Sequence, residues 1–177
     1  STLEEIHLCP KEDCLVGLGT RRTRRGNRYF TRAYTINSDF DLITVGEINY
    51  QHHPSAFSIS DDGLVFMVFD YDPEYWLSET FIAVFDVKNL QRNWTFSYNS
   101  INFMTEAGEA IEFHDIVAVH RKSGASGHEY VVFITTNSTG LMSCNITVSL
   151  NADGYNAFTC HEYALNWMIR HDLLSDD

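Results

Sequence analysis

Apolar, strand-like stretches recur in this 177-residue chain at a shift of about 64 positions. Val65-Phe66-Met67-Val68 lines up with Val131-Val132-Phe133-Ile134, Ile82-Ala83-Val84 with Ile146-Thr147-Val148, and Trp94-Thr95-Phe96 with Phe158-Thr159-Cys160. A further strand precedes each set, at residues 53–59 and 114–119, so the repeating unit is a four-stranded meander. Alternation of apolar and polar residues predicts ten strands in all: Arg28–Ile36, Leu42–Tyr50, Ser55–Ser60, Leu64–Asp70, Glu79–Val87, Arg92–Tyr98, Ala110–Val119, His128–Thr136, Leu141–Leu150 and Tyr155–Tyr163. Turn clusters such as Asp61-Asp62-Gly63 and Asn151-Ala152-Asp153-Gly154 separate them. Room is left for one short C-terminal helix, Ala164 to Leu174. The expected class is all-β. Residues 1–27 carry a helix-like start (Ser1 to Ile6), a small cysteine loop and an arginine-rich arm, and read as an appendage to one β domain at 28–177.

The run from Ala56 through Asp61-Asp62-Gly63 to Phe66, followed by Ile82 to Val87 and Trp94-Thr95-Phe96, resembles a β-propeller blade. The resemblance covers residues 53–98 and 114–163, concerns the fold alone, and brings no catalytic residues. Two and a half blades cannot close a ring, because propellers use at least about four. Such a chain needs partner subunits to cover its open ends, or a different closure. The alternative architecture is a closed antiparallel barrel of the lipocalin type, although the Gly-x-Trp start of that family is missing.

Size and composition narrow the function classes. Aromatics make up 14% of the residues, enough apolar surface to repay the ordering of the chain. The longest pure apolar run, Leu64 to Phe69, is far short of the roughly 20 residues of a membrane-spanning helix. The net charge is −12, yet six of the twelve basic residues (Arg21, Arg22, Arg24, Arg25, Arg28 and Arg32) lie within twelve positions. Such an acidic body repels nucleic acid, and the arginine block reads as a patch that docks on an acidic neighbour. Arg22-Thr23-Arg24-Arg25 also resembles the cleavage signal of furin-like convertases.

Four cysteines form two local pairs, Cys9 with Cys14 and Cys144 with Cys160, and their spacing suits disulfides better than zinc. A hairpin about Asn151–Gly154 brings the second pair together within one residue of register, with a bulge absorbing the slip. Sequons stand at Asn93, Asn137 and Asn145. Strand alternation puts Asn93 and Asn145 on the solvent face and their neighbours Trp94 and Ile146 in the core. Disulfides and N-glycans together predict a secreted chain, with Ser1 opening a mature or trimmed form.

Chemistry-bearing motifs are few. There is no nucleophile elbow, phosphate-binding loop, zinc-protease helix or dinucleotide fingerprint. His52, His53, His114 and His120 come from equivalent or adjacent strands but read as surface or hydrogen-bonded groups, so no metal is assigned. Asp70, Asp72 and Glu74 offer a weak calcium loop that lacks the glycine and late glutamate of an EF-hand. Tyr71, Tyr75 and Trp76 crowd the same loop and are candidate apolar contacts. The reading is a secreted, glycosylated, non-enzymatic binding or structural subunit of an oligomer. The first alternative is an extracellular carrier or storage protein for a lipid or pigment, and the second is a hydrolase on a β scaffold.

Overall fold

The computed structural model describes residues 1–69, 79–99, 113–124, 127–136, 140–149 and 156–164. Twelve strands follow one another across them: β1 Thr2–Leu8, β2 Cys14–Thr23, β3 Gly26–Ile36, β4 Leu42–Tyr50, β5 Ala56–Ile59, β6 Leu64–Phe69, β7 Glu79–Asp86, β8 Asn89–Asn99, β9 Phe113–Gly124, β10 Gly127–Thr136, β11 Gly140–Val148 and β12 Ala157–Ala164. Each consecutive group of four forms one antiparallel sheet with its strands in chain order. The all-β class and the four-stranded meander are therefore present, three times over.

The three sheets stack. On β6, Val65, Met67 and Phe69 pack with Cys14, Val16, Leu18 and Ala33 of the first sheet. The alternate residues Leu64, Phe66 and Val68 pack with Ile116, Tyr130, Val132 and Ile134 of the third. All six residues of β6 are buried, which explains why that strand is an unbroken apolar run where the others alternate. Each fully buried side chain of this size contributes about 1.5–3 kcal/mol. Ala118 N donates to Ser58 Oγ at 3.1 Å, tying β9 to β5 across the second interface.

Four sequence expectations change. Residues 1–27 are not an appendage: β1, β2 and the start of β3 build the first sheet, and the helix-like start is strand. The described residues form three separate sheets and no closed barrel, so the lipocalin-like alternative falls. The repeat aligns the right strands one residue out of phase. Its matched residues Phe66 and Val132 face each other in one core cluster, whereas Met67, fully buried, is matched with Phe133, which is 39% exposed. A middle sheet buried on both faces and an end sheet buried on one have different apolar patterns, and a one-residue offset exchanges the faces. Finally, Cys144 lies directly opposite Cys160 with no bulge between them. The predicted helix beyond Ala164 lies outside the described residues.

Candidate functional site

Among the described residues, two regions carry exposed or clustered chemistry. The first is the pair of outward sheet faces at the ends of the stack. On β1 the inward residues include His7, whose ring stacks at 4.7 Å on Phe57, while Leu3, Ile6 and Leu8 turn outward over Gly17 and Leu15 of β2. Ile6 is 62% and Leu8 67% exposed. On the third sheet Ile116 and Ala118 face inward, so Val117 and Val119 face outward at 53% and 46% exposure, with Phe133 opposite Val117 on β10. Apolar side chains thus crowd the first strand or two of each end sheet.

The outer face of the first sheet also holds half of the six-arginine block. Arg21 and Arg32 reach the Glu47 carboxylate at 3.0 Å and 2.7 Å, and both guanidinium groups lie over the Phe30 ring. Phe30 is buried on an outward face because these arginines cover it. Burial alone would raise the Glu47 pKa, but hydrogen bonds and charge from Arg32 and Arg21 outweigh it and hold the carboxyl below 4.5. Arg28 shares the face opposite Arg21, while Arg22, Arg24 and Arg25 stand exposed at the tip of the β2–β3 hairpin. The predicted docking of the arginines is in part internal. Asp115 and Glu129 stand exposed on the outer face of the third sheet, with Lys122 directly opposite Glu129, so that face carries charge of both signs.

The second region lies where the β5–β6 turn meets the β9–β10 hairpin. Asp62 Oδ2 is 3.8 Å from His120 Nε2 and 3.8 Å from His128 Nδ1, and the three side chains are 23–26% exposed. Tyr130 donates its hydroxyl to Asp62 Oδ2, and Ser60 Oγ donates to Asp62 Oδ1 at 2.6 Å. Burial, and then the bond to Asp62, push the Tyr130 pKa far upward, so the phenol stays a donor. Ser123 Oγ spans the two rings, 3.0 Å from His120 Nε2 and 2.9 Å from His128 Nδ1. Among the described residues these three side chains are the group whose donor atoms converge, all within 4.8 Å of one another. Sequence reasoning grouped His120 with His52, His53 and His114. His53 instead meets the Pro54 carbonyl and the edge of Tyr29, and His114 is exposed. A usable signal existed in His120 and His128 flanking a Ser-Gly hairpin, but Asp62 joins them only through sheet stacking.

The remaining predicted sites divide plainly. Cys9 and Cys14 are bridged, with their Cα atoms 5.3 Å apart, and Cys144 is also disulfide-bonded. Asn93 and Asn145 are exposed while Trp94 packs on the core and Ile146 is buried in it, as the alternation predicts. Asn137, the calcium candidates Asp70, Asp72 and Glu74, and the aromatic trio Tyr71, Tyr75 and Trp76 lie outside the described residues. A shallow solvent-open cleft with room for about one water, lined by Glu4, Glu5, Tyr29, Tyr50, His53 and Met67, opens between the first two sheets. Among the described residues, no helix is long and apolar enough to cross a membrane. No protein-family model matches the chain, and neither the curated proteins nor the solved structures contain a match to it.

Proposed function

We propose that this chain is an extracellular, non-enzymatic β module that works as a subunit of a larger assembly, docking through the outer faces of its two end sheets. The observation that carries the reading is the exposure of Leu3, Ile6 and Leu8 at one end and of Val117, Val119 and Phe133 at the other. Apolar side chains grouped on a sheet face are stabilised by covering them. A second copy suits both ends at once. The apolar face of the first sheet can cover the apolar face of the third in another copy, and Asp115 and Glu129 there offer partners to the first sheet's arginines, so two copies can join head to tail twice. Two stacks of three blade-like sheets then make six, within the range of about 4–8 that closes a ring. The support for extracellular placement is the disulfides and the two sequons whose asparagines, Asn93 and Asn145, stand in solvent. The carrier alternative leaned on a closed barrel and loses that support.

Light scattering on the full chain, deglycosylated, tests the reading. The expected native mass is twice the 20.3 kDa of one chain, falling to one chain in a Leu8→Glu, Val117→Glu double variant that keeps its strand content. A wild-type mass of one chain at high micromolar concentration overturns it.

A further inference from the structure

We propose that Asp62, His120 and His128 form a binding site for a divalent transition-metal ion, zinc by the chemistry of the donors, that clamps the second sheet to the third. Two imidazole nitrogens and one carboxylate oxygen are a ligand set that zinc takes with three protein donors and one open position. Calcium and magnesium are disfavoured because they call for shells built almost wholly of oxygen, and nitrogen supplies two of the three donors here. The carboxylate comes from the β5–β6 turn and both rings from the β9–β10 hairpin, so an ion at their meeting point bonds to two sheets at once.

The spacing suits a small ion. Donors held about 2.0–2.1 Å from a tetrahedral centre lie about 3.3 Å apart. The two carboxylate-to-ring distances are 3.8 Å and all three donor atoms lie within 4.8 Å of one another, so side-chain adjustments of about 0.5–1.5 Å close the shell. The surroundings are those of a supported ligand set. Both oxygens of Asp62 are already oriented, one by Ser60 and one by Tyr130, leaving a lone pair of Oδ2 turned toward the rings. Tyr130 is itself almost fully buried and packs at 5.1 Å on Phe66 in the core, which fixes the donor that fixes the carboxylate. Ser123 Oγ holds both ring nitrogens toward one point, and in the metal-bound site it gives up those two bonds to the ion.

The test is a titration of chelator-treated full chain with zinc chloride by calorimetry, and with cobalt(II) followed by visible absorption. The expected result is one saturable zinc per chain and the intense visible bands of four-coordinate cobalt. His120→Ala and His128→Ala should each weaken binding at least 100-fold, and Tyr130→Phe, which removes only the group positioning Asp62, by about 10–100-fold. Ser123→Ala should stay within a few-fold of wild type, since its hydroxyl is displaced. Wild-type chain that leaves cobalt in its six-coordinate aqueous form overturns the proposal without reference to any variant. So does zinc binding of unchanged affinity in folded His120→Ala and His128→Ala, which would place the ion on other surface groups such as His7 and Glu5.

Discussion

Glu47 is where two arginines from neighbouring strands converge, and its removal reports how much that meeting stabilises the first sheet. Arg21 is 40% exposed and solvent screens its share, so most of the effect belongs to Arg32. Glu47→Gln is expected to cost about 1 kcal/mol at pH 7 by urea unfolding. The sign with pH follows from the lowered pKa. The contribution is fully present above the ordinary value of 4.5 and is lost as pH falls through the lower folded value, so wild type and variant converge in acid. Melts at pH 7 and pH 3 check this, and an equal gap at both would show that charge is not the cause. Gly127 presents a different kind of residue-level constraint. It has a φ of 156°, and a Cβ there would lie 2.3 Å from the Val148 carbonyl oxygen. Gly127→Ala is expected to destabilise by about 2–3 kcal/mol, read as a lowered melting temperature.

At the scale of elements, legibility depended on residue type and flanking turns as much as on side-chain alternation. β4 was predicted with its observed ends, Leu42–Tyr50, although a register shift against β3 leaves Val45 as an extra residue that shares the core side with Ile48, because its apolar and β-branched residues outweigh the irregularity. β1 was misread for a specific reason: the register shift between Leu3 and Glu5 inserts an extra residue, so Leu3 and Ile6 share a face at a spacing of three. That spacing imitates a helical turn. β2 was missed because Gly17 and Gly19 leave alternate positions bare. The space is used, since a Cβ on Gly19 would meet the Thr2 carbonyl oxygen at 2.3 Å and Phe30 at 2.6 Å. The small bridge that leads from β1 into β2 also belongs at this scale. Closing a loop of sequence separation 5, it should contribute about 2 kcal/mol. A Cys9→Ser, Cys14→Ser double variant is expected to lose that amount in chemical unfolding while the contacts between second and third sheets stay protected from hydrogen exchange.

For the whole molecule, the arrangement of three sheets explains which functional residues sequence could reach. Asn93, Asn145 and the paired cysteines are read from strand alternation and hairpin register, which are local. The Asp62–His120–His128 group and the two outward apolar faces are products of stacking, which joins residues about sixty positions apart and leaves the end sheets uncovered. Deleting one end face should therefore act on assembly and not on folding. Leu8→Glu alone is expected to lower the native mass to one chain while shifting the unfolding midpoint by less than about 1 kcal/mol, because Leu8 is largely in solvent already. Analytical ultracentrifugation with parallel urea melts separates the two effects.

Asn145 stands opposite Val131, which stands opposite Val119, in one row across the outer face of the third sheet. An oligosaccharide at that asparagine would lie in the path of any sheet arriving there, yet leave the face of the first sheet open. Such a molecule has one live end and one dead end. It can join another chain but not be joined, so glycosylation at this one sequon would keep the pair open, and its occupancy decides whether the six sheets close into a ring.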